Sequence, residues 1–409
     1  MTEKNVSLQR LHVTIAYWVA TFCEGASRII IPLYFAAKGV EATKIGIMFF
    51  TYELFSFLMN IGSGFLVNRW GYRKSMLLSL VLHTIASLGY LSIADNQEAY
   101  VVLIIVNILR AFRGIGKELI KTTSSAFLKQ LKPKGAGKFA TAQLMLGGKD
   151  GIKGIGLLIG GILLSWVGFV HSFLILGIAT LLCCFLCFFG LDDLREKKNV
   201  NFSDFFAVKK KMRLLAIVRA FLYAGRDIWL VIAAPVYLQK LGLDQVTIGG
   251  ILAMGFITFG LAQIAGGFYI KSEFKIGKLH KKPVRFRNTL TITHALTAII
   301  PIGIYFFQDN LTVFIGGVVA YNFFAGIATT PHNHLHIKYS KKSRSSIDIA
   351  YYKSVAHIGK VFAVLLSGFI YEKFGIAGCA LVSFASLTIA SVIALKLRKV
   401  EDNGSGTQG

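Results

Sequence analysis

Along the 409 residues, apolar stretches of roughly 20 residues follow one another almost without interruption, each long enough to cross the ~30 Å hydrocarbon layer of a bilayer. Hydrocarbon offers the backbone no hydrogen-bond partner, so such segments must satisfy their own N–H and C=O groups and become helices. The pattern predicts an all-α polytopic membrane protein with 12 transmembrane helices, near 11–37, 43–67, 75–94, 99–122, 139–166, 170–190, 213–238, 245–270, 288–307, 311–337, 348–370 and 376–397. A 54% hydrophobic composition excludes a soluble globular domain. The first segment runs on to Pro32 and Tyr34 and holds Glu24 and Arg28, which marks a spanning helix and not a cleavable signal peptide. Cys23, Cys183, Cys184, Cys187 and Cys379 all fall in apolar segments, so neither a disulfide framework nor a zinc site is expected, and no cofactor is implied.

The net charge of +25 would suit a nucleic-acid partner, but its distribution excludes one. Most Lys and Arg lie at the termini and in the even-numbered loops: Arg69–Lys74, Lys129–Lys138, Arg195–Arg213, Lys271–Arg287 and Lys338–Arg344. By the positive-inside rule both termini and the central loop are cytoplasmic, which implies a multi-pass protein of the cell inner membrane. The loop charges then face anionic lipid headgroups.

The chain also repeats itself. Pro32, Tyr34, Gly39, Glu41, Ile45 and Gly46 recur as Pro235, Tyr237, Gly242, Asp244, Ile248 and Gly249, and the same offset of 203 positions pairs Ile155 and Gly156 with Ile358 and Gly359. Six spans are followed by six related spans: an N-terminal half 1–190, a charged linker 191–212, a C-terminal half 213–397 and a polar cytoplasmic tail 398–409. Duplication of this kind is typical of secondary transporters, whose substrate site lies near the bilayer midplane where the repeats meet.

Between the second and third spans the chain reads Gly64, Asn68, Arg69, Gly71, Arg73 and Lys74, a spacing that resembles the loop signature of the major facilitator superfamily. The resemblance implies that fold over essentially the whole chain and a cytoplasmic gate at these residues. Gly64 would let two helices approach, and Arg69, Arg73 and Lys74 would meet helix C-termini or carboxylates. Asn68 stands where the signature carries Asp, which weakens a charge relay but keeps a hydrogen bond. In span five, Gly156, Gly160 and Gly161 resemble the superfamily's exporter-associated glycine motif, with Leu157 in place of its proline; close glycine packing is the favoured account of them.

Charges inside the spans demand a separate explanation. Arg110, Arg113, Lys117 and Lys121 fall within roughly 80° of one another on a helix at 100° per residue. Lys121 approaches the cytoplasmic end and can snorkel. Lys149 and Lys153 share a face in span five, with Asp150 nearby; Lys353, His357 and Lys360 cluster in span eleven. Glu24 can neutralise Arg28, one turn away, and Asp227 stands beside Arg226. Cations exceed carboxylates in the spans, and an unpaired one costs roughly 3 kcal/mol or more. The expectation is a cationic cavity for a polyanion, contacted by Arg28, Arg110, Arg113, Lys117, Lys149, Lys153, Arg226, Lys353 and Lys360; a mostly structural ion network is the other reading. Glu24, Glu118, Asp150 and Asp227 are candidates for proton coupling. His332, His334 and His336 lack acidic or cysteine neighbours, so polar packing is favoured over a metal site, while His83 and His294 stand alone.

The blocks Arg113–Lys121, Gly148–Gly156, Phe221–Trp229 with Pro235, and Asp348–Tyr352 are similar to the ArsJ-type permeases of arsenic resistance. This resemblance implies efflux of an organoarsenical, arsenylated phosphoglycerate, held by Arg113, Lys117, Lys149, Lys153 and Arg226. The chain departs from that family at 331–334 and at Lys353 and Lys360, which leaves open a polycarboxylate siderophore or another carboxylated or phosphorylated metabolite. A coupling proton or counter-anion would drive the cycle. A membrane enzyme would need a reactive constellation that the histidines do not supply, and a non-transporting receptor or scaffold would not need two related halves.

Overall fold

A computed structural model describes residues 3–93, 98–130, 137–194, 205, 208–275, 283–340 and 345–405. The basic loops 129–138, 195–213, 271–287 and 338–344, most of the linker 191–212, the His334 side chain and the side chains of the tail lie wholly or partly outside the described residues. The described chain is almost entirely helical and contains no strand. Its helices are α1 (Glu3–Ala37), α2 (Ala42–Trp70), α3 (Tyr72–Gly89), α4 (Ala99–Gln130), α5 (Gly137–Gly190), α6 (Lys210–Leu230), α7 (Ala233–Lys240), α8 (Gln245–Lys275), α9 (Pro283–Phe306), α10 (Leu311–Tyr339) and α11 (Ser345–Ser405). Among the described residues, eight helical stretches are long and apolar enough to cross a membrane, and Leu290–Phe306 is a shorter apolar helix.

Two of those stretches each hold two of the predicted spans. α5 turns at Gly168 (φ 75°) and α11 at Gly375 (φ 64°), a left-handed backbone that glycine adopts without a Cβ clash. The predicted breaks at 166–170 and 370–376 coincide with these glycines. The span predicted as continuous over 213–238 is instead interrupted at Val231–Ile232, between α6 and α7. Pro235 weakens the helix at this point, since a proline has no N–H to donate to the carbonyl four residues back and its ring crowds that carbonyl. Pro32, Pro301 and Pro331 sit within α1, α9 and α10, which carry on through them.

The sequence repeat has a structural counterpart at its glycine. After α1 the Gly39 N–H donates to the Ala36 carbonyl (3.0 Å) and the Val40 N–H to Phe35 (2.9 Å); after α7 the Gly242 N–H donates to Gln239 (3.0 Å) and Leu243 to Leu238 (3.3 Å). Both glycines have positive φ, 76° and 83°. This is the Schellman helix end, built twice from residues 203 positions apart.

Contacts divide the chain into two compact units, Met1–Val200 with Leu238–Ala253, and Asn201–Tyr237 with Met254–Gly409. Within the first, α1 packs on α5, α2 on α4, and α3 on α4 and α5. Its core gathers Val13, Tyr17, Met76, Leu119, Phe127 and Cys187. The start of α8 belongs here because a Cβ on Gly249 would lie 2.9 Å from the Leu157 carbonyl oxygen and 3.4 Å from the Gly161 Cα. Within the second unit, α11 packs on α6 and α9, and α9 on α10, around Met212, Leu215, Leu290, Leu335 and Tyr352. Large apolar side chains such as Trp166, Phe189, Phe306 and Phe374 are exposed, the inverted surface that a lipid solvent favours.

Candidate functional site

Three buried glutamates, Glu24 on α1, Glu53 on α2 and Glu118 on α4, organise the first unit. Lys153 of α5 donates to Glu24 at 2.9 Å, and Arg28 lies 3.3 Å from Glu24 and 2.7 Å from Glu53. Lys117 sits among all three, 3.4 Å from Glu53 and 4.0 Å from both Glu24 and Glu118, while Lys121 pairs with Glu118. Four helices are thus tied by one ionic network. Arg28, Lys117 and Lys153, expected to face an anion, are paired internally in this conformation, as is Lys121, because carboxylates from α1, α2 and α4 converge on them.

Arg110 and Arg113 are different. Both are fully buried on α4, and neither has a carboxylate partner among the described residues. Arg110 is sandwiched between the rings of Phe49 and Tyr52, 4.1 and 4.3 Å from their centroids, and its Nε reaches only the Met48 carbonyl at 3.4 Å. Arg113 donates through one Nη to Ser87 Oγ at 2.8 Å. Both Nη of Arg110, and Nε and the other Nη of Arg113, have no hydrogen-bond partner among the described residues. The Tyr52 ring meets three cations in all, with Lys117 at 4.6 Å and Arg28 at 5.7 Å, an electrostatic use of the aromatic face.

A small recess opens beside this network, lined by Tyr17, Thr21, Glu24, His83, Lys117, Lys121 and Lys149, among others. It is where Lys149 is found; Asp150, its half-buried neighbour, makes no ion pair among the described residues.

The second unit has its own aromatic centre. Arg219, Arg226 and Lys360 lie 4.5, 5.1 and 4.6 Å from the Tyr223 ring centroid. Arg226 Nε pairs with Asp227 at 2.6 Å, while buried Arg219 donates to Thr329 Oγ1 and the Tyr223 hydroxyl, both at 3.0 Å. Lys353 is exposed on α11, in one stripe with Lys360. In the same unit, His294 Nε2 and His332 Nε2 are 3.4 Å apart, the Tyr352 hydroxyl is 3.1 Å from His332 Nδ1, and His336 stacks on Tyr352. These histidines form a buried polar chain. No group of three or more metal-ligating side chains occurs among the described residues.

At the α2–α3 turn, Gly71 has φ 84° and donates to Val67 O at 2.9 Å, and Tyr72 N–H donates to Leu194 O at 3.0 Å. Arg73 donates to the Phe188 carbonyl in the last turn of α5 and stacks on the Phe188 ring, the position where a cation complements a helix C-terminus. Arg69 and Lys74 are exposed and Asn68 is half-buried. Gly64 corrects the sequence expectation: a Cβ there would meet nothing within 4 Å, so no helix approaches it among the described residues. Close approach occurs instead at Gly156, where a Cβ would strike the Phe22 carbonyl, and at Gly160, where it would lie 2.7 Å from Ala26 Cα. Packing of α5 on α1 accounts for these glycines.

Sequence reasoning does not single out Glu53, Arg219, Tyr52 or Tyr223 as site residues. One signal in the chain does point toward the hubs: the 203-residue offset that pairs Pro32 with Pro235 also pairs Glu24 with Asp227, and each carries an ion pair.

No curated protein shows a significant sequence match to this chain. Its fold is similar to that of a mutant of the nucleoside transporter NupG, with a TM-score of 0.72 at 14% identity over 96% of this chain and 99% of that one. It is equally similar to a POT family transporter solved in complex with 5-aminolevulinic acid, with a TM-score of 0.72 at 14% identity over 95% of each chain. The Major Facilitator Superfamily model matches residues 13–347, most of the length, and the chain belongs to that superfamily.

Proposed function

We propose that this protein is a secondary active transporter of a small, multiply charged anion, working by alternating access. Arg110 and Arg113 carry the reading. A buried guanidinium without a counter-charge costs several kcal/mol, and the neighbouring glutamates are already committed to Arg28, Lys117, Lys121 and Lys153. A carboxylate or phosphate presents the paired oxygens that a guanidinium fork accepts bidentately. Binding would neutralise the surplus, favour the conformation that closes around the substrate, and couple occupancy to rocking of the repeats. Glu24 and Glu118, held among lysines, are the carboxylates best placed to exchange a proton during that cycle; a counter-anion is the other coupling partner. The superfamily supports a carrier over a receptor or an enzyme.

The finer reading, efflux of arsenylated phosphoglycerate across the inner membrane with both termini cytoplasmic, rests on the resemblance of the Arg113–Lys121, Gly148–Gly156 and Phe221–Trp229 blocks to ArsJ-type permeases and on the loop charges. A polycarboxylate siderophore, or another carboxylated or phosphorylated metabolite, suits the same cations. Flux into proteoliposomes of the full chain tests the class: saturable, trans-stimulated movement of di- and trianions is expected, and a ligand that binds yet never crosses would contradict transport.

A further inference from the structure

We infer that the recess beside His83 is a subsite for a hydroxyl group of the transported anion, a specificity that rests on the anion reading above. His83 of α3 is 1% exposed and lines the recess, and neither of its ring nitrogens has a hydrogen-bond partner among the described residues. Its ring fits there because α4 presents Gly116: a Cβ at that position would lie 3.1 Å from His83 Cδ2 and 3.2 Å from Nε2. An imidazole held in a tailored slot with both nitrogens unmatched is a recognition group awaiting a partner, because a buried polar atom left without a hydrogen bond keeps its full desolvation penalty.

The rest of the lining defines that partner. Lys117, Lys121 and Lys149 can only donate. Glu24 accepts, but Lys153 and Arg28 hold it. Thr21 spends its proton on the Tyr17 carbonyl at 2.7 Å and leaves its oxygen as an acceptor. The recess therefore offers several cationic donors, the Tyr17 hydroxyl, and two acceptors that receive no hydrogen bond among the described residues, the lone pair of a neutral His83 and the Thr21 oxygen. An unsubstituted dicarboxylate or alkyl phosphate satisfies the lysines and leaves the acceptors empty. A hydroxylated anion answers both needs, its oxyanion toward the lysines and its O–H toward His83. A site built to bond a hydroxyl discriminates strongly against the analogue that lacks it.

Calorimetric titration of the full chain in lipid nanodiscs tests this with two matched pairs, malate against succinate and glycerol 3-phosphate against propyl phosphate. The hydroxylated member of a pair is expected to bind about tenfold or more tightly. His83→Leu should erase that preference while leaving succinate or propyl phosphate affinity unchanged, and His83→Gln, which keeps a donor and an acceptor, should retain it. Equal affinity within each pair, or an unchanged preference in His83→Leu, overturns the subsite. If none of the four anions binds, the anion reading itself fails, and the subsite with it.

Discussion

Lys153 and Glu24 are 129 residues apart in the chain and 2.9 Å apart in space, joining α5 to α1 inside the apolar interior of the first unit. Truncating one partner of such a pair leaves a buried charge unanswered. Glu24→Gln should therefore lower stability by about 3 kcal/mol, since breaking a buried pair typically costs 3–5 kcal/mol. Lys153→Met in the same background should recover a measurable part of the loss. Thermal unfolding of the four proteins of this double-mutant cycle in one detergent checks the prediction, with additive losses indicating no coupling.

The glycines make an internal contrast. Gly156→Ala places a methyl group against the Phe22 carbonyl of α1 and should cost about 1–3 kcal/mol as overpacking. Gly64→Ala meets open space and gains helix propensity, so it should be neutral or stabilising by up to about 1 kcal/mol. Paired unfolding measurements decide between this pattern and one in which the α2–α3 signature glycine is the sensitive position.

Asp244 stands just before α8. Its carboxylate is held below the usual aspartate range by the Thr247 hydroxyl first and then by the backbone N–H groups of Thr247 and Val246, at 3.0 and 2.9 Å. A depressed folded-state pKa contributes stability above the unfolded-state pKa and loses it as pH falls through the lower folded value. Stability should thus show an acid-side decline that Asp244→Ala flattens, measured by unfolding midpoints across about pH 2–6, a window set by the ~3.9 reference aspartate. Its repeat counterpart Glu41 makes no side-chain cap on α2.

Length and apolarity made the spans readable without coordinates, because a bilayer permits few alternatives. The breaks at Gly168 and Gly375 were also legible, since short polar or glycine-containing gaps separated the apolar runs. The Pro-Tyr-Gly-acid repeat marks two positions at which the structure has matching helix ends, at Gly39 and Gly242, although the repeat by itself indicates only related halves. The interruption at Val231–Ile232 was not legible: Pro32 occupies the same repeat position within an unbroken α1, so proline alone does not decide. Charge partners were hidden for a similar reason. Arg28 to Glu24 is a one-turn pair that helical spacing reveals, but Arg28 to Glu53 depends on how α1 and α2 are rotated against each other. Cation stripes show which residues share a face, and say nothing of the carboxylates on the helix opposite.

The central claim is that Arg113 answers the substrate and not the protein. Transport into proteoliposomes by the native chain and by Arg113→Met, with unfolding temperatures recorded on the same preparations, tests it most directly. Removing a buried charge whose one hydrogen-bond partner among the described residues is Ser87 should leave the unfolding temperature unchanged or higher, while polyanion flux falls by about two orders of magnitude, equivalent to roughly 2.7 kcal/mol of lost substrate interaction. Undiminished flux, or a loss of flux that merely follows a collapse of stability, would contradict the account.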